Sequence, residues 1–339
     1  MRIAIDAMGG DCGPQVMVDG AVRAANDFGY EIALVGDNDV ICLELEKYRW
    51  SKELITVHHA SQVVGMEEQP AQAVRRKRGS SINVAVNLVK EGRCEALVTA
   101  GNTGAAVASA TLILGLLPGV KRPGIAIVFP TLYGISLLID VGANIDPRPE
   151  HLLQYAIMGN IYVKYILRKQ NPSISLLNIG KEESKGTELL RETYKLLTDS
   201  GLNFIGNVEG RDVFSGRSDC IICGGFIGNV VLKVLESIAE TTTAFFRREL
   251  EKSILTRLGA WFCRPAFLAL QKGTDYSECG GAPLLGVDGI CIIAHGGSTA
   301  KAIRNAIKVA GGFVNYKVNQ RIAGEIGKWE RRGLLKLSA

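Results

Sequence analysis

Short runs rich in Ile and Val alternate along this chain with longer stretches whose apolar positions recur at helical spacing. RIAIDA leads into a helical stretch at 15–28, IALVGD into 39–47, LITVHH into 71–90 and ALVTAG into 105–117. Strand–helix alternation of this length predicts a largely parallel sheet covered by helices on both faces. GIAIVFPTLYGISLLIDVGAN then offers two apolar runs joined by a short Pro/Gly turn, an antiparallel hairpin, so the sheet is expected to be mixed. Alternation resumes with a helix at 150–168, strand SISLLNIG, a helix at 188–197 and strands LNFIGNVEG and CIICGG. A long helix opens near Gly228 and helical character continues to about Lys272. A glycine-rich loop CGGAPLLG, strand ICIIAHGG and a closing helix from Ser298 complete the pattern. No flexible linker interrupts it, which predicts a single α/β domain over 1–339 made of two interleaved lobes around a cleft.

Composition narrows the class. The 339 residues, 47% hydrophobic and 22% charged, are enough to bury a large core and argue against disorder. The 39 glycines fall singly at the ends of apolar runs, where an α/β protein turns sharply. Asp6 interrupts the first apolar run, so no secretory leader is expected and the chain is expected in the cytoplasm. Eight cysteines scattered through apolar segments fit a reducing compartment. Cys220 and Cys223 belong to a strand and face opposite sides, which disfavours a zinc or redox pair. Residues 96–120 carry no charge, yet Gly101-Asn102-Thr103-Gly104 divides them into a buried strand and a helix too short to span a bilayer. A net charge of +5 favours acidic partners without identifying them.

Ligands of open α/β sheets bind beyond the carboxyl ends of strands. Six such ends here combine glycine with polar residues: Asp6 to Asp11, Ala100 to Gly104, Asp140 to Asp146, Asn178 to Gly186, Asn207 to Asp212 and His295 to Ser298. A glycine turn that opens a helix can receive an anion on its backbone N–H groups. The dinucleotide pattern G-x-G-x-x-G is missing from AGNTGA. Lys185, Arg211 and Lys233 are the cations near these turns, and together they suggest phosphate. Residues 75–81, RRKRGSS, form either a solvated basic loop or a second anion contact. Of the four histidines only His295 sits in a glycine-rich strand end. Asp140, Asn144, Asp146 and Glu150 are weak grounds for a metal, and no G-x-S-x-G elbow, H-E-x-x-H or P-loop is present.

In order along nearly the whole chain, IDAMGGD, AGNTGA, LLIDVGANIDPRPE, LLNIGKEESKG, NFIGNVEGRDVFSG, GFIGNVVLK and YSECGGAPLLGVDGICIIAHGGS resemble the bacterial phosphate acyltransferase (PlsX) family of phospholipid synthesis. The resemblance implies a three-layer α/β/α fold with one mixed sheet, similar to isocitrate and isopropylmalate dehydrogenases and to phosphate acetyltransferase, and a homodimer. It implies transfer of a fatty acyl group from acyl carrier protein to inorganic phosphate, with the acyl phosphate passing to a membrane glycerol-3-phosphate acyltransferase. Neither cofactor nor metal is expected, and nucleic acid is not an expected partner. Three positions depart from the usual family pattern: Gly224 where an acidic residue often stands, Cys279 for tyrosine and Gly297 for serine.

On this reading Lys185, Arg211, Lys233, Asn229 and His295 are the catalytic candidates. Gly101, Asn102, Thr103, Gly104, Asp140, Asn144, Asn178 and Glu209 are the substrate-binding candidates. Phosphate is itself the nucleophile, so the protein must position it, stabilise the oxyanion and help the thiolate leave. Residues 245–272 mix aromatics and leucines with Arg247, Arg248, Lys252, Arg257, Arg264 and Lys272. That surface suits acidic acyl carrier protein or the anionic inner face of the membrane, and a helical pair in a dimer interface would show the same pattern. Two alternatives stand beside this function: a phosphate acyltransferase using short-chain acyl-CoA, and a non-catalytic membrane scaffold for lipid-synthesis enzymes.

Overall fold

The computed structural model describes residues 1–253 and 280–331, together with 256, 259 and 262. The strands are β1 (Arg2–Asp6), β2 (Glu31–Gly36), β3 (Ile55–His59), β4 (Ala96–Thr99), β5 (Gly124–Thr131), β6 (Gly134–Ile139), β7 (Ile174–Leu177), β8 (Phe204–Val208), β9 (Cys220–Ile222), β10 (Ala282–Leu285) and β11 (Ile290–Ile293). Among the described residues they form one 11-stranded sheet in the order β3-β2-β1-β4-β11-β10-β5-β6-β9-β7-β8. The helices are α1 (Gly13–Phe28), α2 (Asn38–Leu45), α3 (Pro70–Arg76), α4 (Ser81–Lys90), α5 (Thr103–Ser109), α6 (Pro149–Tyr165), α7 (Glu188–Thr198), α8 (Gly225–Leu250), α9 (Ala300–Asn315) and α10 (Val318–Arg331). The mixed, largely parallel sheet with helices on both faces is as the alternation implies.

Period-two side chains divide the core into two layers. Ile3, Ile5, Ile32 and Leu34 pack with α1, α6 and α9 on one face. Ala4, Ala33, Val35 and Leu97 pack with α4 and α5 on the other. Cys220 belongs to the first layer and Cys223 to the second, both fully buried, as expected of strand residues three apart. Local signals set the helix ends. Asp37 caps α2 by accepting from the N–H groups of Asp39 and Val40, and Gly29 closes α1 at φ 65°, a conformation glycine adopts without steric cost.

Three elements differ from the sequence expectation. The stretch 71–90 is two helices, because Asn83 donates its amide to the carbonyls of Val74 and Lys77 and holds the chain in a break between α3 and α4. The stretch 105–117 is α5 followed by a π-type turn, Ala110–Leu114. CGGAPLLG is not all loop: Ala282–Leu285 is β10, antiparallel to β11 and β5. Its glycines and Pro283 read as turn residues, but burial between two strands overrides local propensity.

β10 is what positions the site. Ala282 stands opposite Ile293 at the carboxyl end of β11, and two residues later Leu284 stands opposite Ile125. Ala126 in turn pairs with Ile139, the last residue of β6, with which β9 runs parallel; β7 continues from β9 and β8 from β7, both parallel. The strands of the first half and those of the second therefore point in opposite directions, but their carboxyl ends are offset by only one to two residues, about 3–7 Å along the sheet at ~3.3 Å per residue. Both sets of polar strand ends border the same space.

The far half is pinned by Asp219, which accepts from Lys169 and from the N–H and hydroxyl of Ser173. Burial alone would raise this carboxyl, but Lys169 and Ser173 hold it below the usual range. A depressed folded value adds stability above the unfolded pKa, about 3.9, and the addition is lost as pH falls through the folded value. Asp219→Asn is expected to cost about 1 kcal/mol near neutrality, a discounted figure because the pair is partly exposed. Thermal denaturation across pH should show the gap to the parent protein closing in acid; a gap independent of pH would refute the account.

Candidate active site

A groove of 1170 Å³ lies between the two sets of strand ends. Its walls are apolar, from Ile125, Ile127 and Phe129 of β5, Phe214, and Phe226 and Leu232 of α8. At one end polar groups gather: Thr103 and Gly104, Asn229 and Lys233, His295 and Ser298. The groove continues along α8 past Ile238 and Thr242 to Phe246 and Leu250. It is a largely apolar channel with a polar head, and Arg247 and Glu251 line it beside Phe246 and Leu250.

The turn Gly101 to Gly104 meets the head through its last two residues. Gly101 uses its N–H on Thr99 Oγ1, 3.1 Å away, and Thr99 donates to the buried Asp6 carboxylate at 2.8 Å. Asn102 is occupied as well, its oxygen capping the N–H of Ala105 and its amide donating to the carbonyl of Met66. Thr103 and Gly104 open α5, where N–H groups have no acceptor within the helix, and both line the groove. Gly9 packs its backbone on Gly101, since a Cβ there would come within 2.6 Å of the Gly101 nitrogen.

On the opposite side Asp140 organises the loop after β6. Its carboxylate accepts from the N–H groups of Ile125, Gly142, Ala143 and Asn144. Burial pushes its pKa up and those four N–H groups pull it back. Asn144 turns inward, its amide donating to the hydroxyl of Tyr155 at 3.3 Å. The loop so shaped receives the first turns of α8, and Asn229 lies against Gly142. One turn further on, Lys233 pairs with Glu236 at 2.8 Å, and the other Glu236 oxygen lies 3.9 Å from His295 Nε2. Gly297 donates its N–H to His295 Nδ1, so in this arrangement Nε2 carries the proton.

Lys185, Arg211, Asn178 and Glu209 are outside the groove lining. They stand at the ends of β7 and β8, along the same sheet edge as Asp140. Asn178 donates to the carbonyl of Lys185, shaping that loop, and Arg211 pairs with Glu209 at 2.9 Å. Thr103, Gly104, Asn229, Lys233 and His295 are thus brought together, while the remaining candidates shape turns or stand on the flank. Sequence reasoning missed Glu236, and it places Ser298 only at the close of the His295 strand end, not as a site residue. Glu236 was detectable from its three-residue spacing to Lys233 on one helix face.

Of the three family departures, Gly224 caps α8 against Pro147 and Gly297 has room for a serine side chain beside His295. Cys279 lies outside the described residues. Among the described residues no group of three or more His, Cys, Asp or Glu is placed to hold a metal, and no helix is long and apolar enough to cross a membrane.

The chain is similar to known proteins along nearly its whole length. The family described as fatty acid synthesis protein matches residues 1–321. The phosphate acyltransferase of Moorella thermoacetica is 51% identical, covering 98% of each chain. That of Geobacter sulfurreducens is 50% identical over 95% of this chain and 93% of its own. Among solved structures, a phosphotransacetylase from Streptococcus pyogenes superposes with a TM-score of 0.61 at 17% identity, covering 97% of this chain and 94% of that one. A branched-chain phosphotransacylase from Enterococcus faecalis gives 0.55 at 13% identity, over 95% and 99%. The structural likeness shows a shared fold; identity over nearly the full length shows more, and the chain is an acyltransferase that belongs to the phosphate acyltransferase family.

Proposed function

We propose that this chain transfers a fatty acyl group from acyl carrier protein to inorganic phosphate, releasing acyl phosphate for phospholipid synthesis. The supporting observation is the long, largely apolar groove that leads from a polar head, room that an acetyl group would not need. A phosphate oxygen attacks the thioester carbonyl carbon, forming a C–O bond and a tetrahedral oxyanion. Collapse breaks the C–S bond, and the carrier leaves as a thiolate that takes up a proton. Lys233 and the N–H groups of Thr103 and Gly104 hold phosphate, Asn229 donates to the carbonyl oxygen, and His295 supplies the proton to sulfur. Lys185 and Arg211, held by Asn178 and Glu209 respectively, complete the phosphate side when two lobes of the single domain close over the substrates. Gly101, Asn102, Asp140 and Asn144 hold the turns in place.

The active form on this reading is a homodimer at the cytoplasmic membrane surface, where the product meets the glycerol-3-phosphate acyltransferase. Phe226, Val230, Val234 and Ile238 recur every four residues on α8 and are exposed, a stripe that a second copy would cover. Phe245, Phe246, Arg247 and Arg248 continue it as a basic, aromatic end suited to anionic lipid. Most of 254–272 lies outside the described residues.

Long-chain acyl carrier protein and labelled phosphate should give phosphate-dependent acyl phosphate, from a preparation that sediments as a dimer and pellets with anionic vesicles at low salt. Product from acyl-CoA alone would transfer the assignment to the coenzyme A alternative. Silence with both donors would leave the scaffold.

A further inference from the structure

The basic segment RRKR is not part of the groove, yet it is built onto the groove's polar rim. Asn102 donates its amide to the carbonyls of Met66 and Glu68, fastening the loop before α3 to the Gly101–Gly104 turn. The ring of Pro70, at the start of α3, lies against Gly104; a Cβ on Gly104 would come within 2.5 Å of it. From that fixed start α3 carries Arg75 and Arg76 in its last turn, about 7–9 Å along its axis at ~1.5 Å per residue, and Arg78 follows directly.

Lys77 is neutralised, its ammonium shared between Glu68 at 2.5 Å and the carbonyl of Val63. Arg75, Arg76 and Arg78 are exposed and pair with no carboxylate among the described residues. Val63 and Met66 are exposed beside them, 38% and 43%. Exposed Arg with Met and an aliphatic neighbour is interface composition, and three unpaired guanidinium groups call for an acidic partner.

We infer that the surface 63–78 docks the acidic protein that delivers the acyl group, an inference that rests on acyl carrier protein being the donor. The thioester sulfur must sit at the polar head while the acyl tail runs away along α8. A carrier holding that sulfur on an arm has to stand on the adjoining rim, and this rim carries three arginines with no carboxylate partner among the described residues. Opposite charge would raise the rate of encounter and orient the carrier before the thioester enters.

The test compares acyl carrier protein with a small acyl-pantetheine thioester as donors, using the parent protein and R75E/R76E/R78E. KM for the carrier is expected to rise about tenfold or more, with kcat, KM for phosphate and activity on the small thioester unchanged. The parent's carrier KM should also climb with salt more steeply than the variant's. The neutral pair R75Q/R78Q, expected to move KM in the same direction by less, serves if the triple variant fails to fold. Equal loss on both donors, or an unchanged carrier KM, overturns the inference. Loss of binding to anionic vesicles with carrier KM unchanged overturns it in favour of lipid. A parent protein that uses the small thioester but not the carrier removes the donor assignment itself, a result read without any variant.

Discussion

Asn229→Ala is expected to lower kcat by about two to three orders of magnitude while leaving the melting temperature close to the parent's, the loss typical of removing one oxyanion donor. Asn229 lies in the opening turns of α8, against the Gly142 loop and across the groove from the N–H groups of Thr103 and Gly104. Among the described residues no hydrogen bond depends on its amide in the way that those of Asn102, Asn144 and Asn178 do, so its removal should spare stability. Lys233 is four residues later and shares that helix face, which places ammonium and amide side by side at the head. Lys233→Ala should act on a different parameter, raising KM for phosphate more than it lowers kcat. Asn229→Asp separates the roles further, since a carboxylate would repel phosphate and cannot donate. Steady-state kinetics with both substrates varied decides it: an Asn229→Ala kcat within threefold of the parent's would remove Asn229 from the oxyanion.

The strand ends were legible because each apolar run stops at a glycine beside a polar residue, and the mixed sheet because one hairpin interrupts the alternation. What the polar residues do at those ends was not legible. Asn102, Asn144, Asn178 and Asn229 look equivalent in sequence, yet three turn their amides onto neighbouring backbone or side-chain groups and one faces the groove. Asparagine stabilises turns with its own side chain, so its presence at a strand end marks the turn before it marks a ligand. Asp140 illustrates the same ambiguity. As a possible metal or substrate carboxylate it looked chemical, and in the fold it gathers four backbone N–H groups.

Neither β10 nor the Thr99–Asp6 relay could be read in advance, since both depend on contacts between segments distant in sequence. Asp6 and Thr99 are 93 residues apart and meet only because β1 and β4 pair in register. The convergence of the two groups of strand ends depends on the antiparallel strands between them, β10 in particular, which local propensity disguised as loop.

The same crowding that makes the site predicts the largest effect of a single methyl group. Gly228→Ala is expected either to destabilise the protein by about 4 kcal/mol or more, or to fold with α8 displaced and kcat reduced about a hundredfold. A Cβ at position 228 would overlap the carbonyl oxygen of Asp140 and come within 2.9 Å of Cys223 Sγ. Neither neighbour can yield cheaply. The Asp140 backbone is held by its own N–H donating to the carbonyl of Cys223, its side chain by four N–H donors, and Cys223 is fully buried. The remaining escape is for the start of α8 to move outward, carrying Asn229 and Lys233 away from Thr103 and Gly104. Gly324→Ala in α10 is the matched control, because nothing lies within 4 Å of its added Cβ and alanine should stabilise that helix by roughly 0.5–1 kcal/mol. Thermal denaturation with kcat on the soluble fraction measures both arms. A Gly228→Ala protein with the parent's melting temperature and turnover would mean that α8 and the Asp140 loop are not in the close contact on which this placement of the site depends.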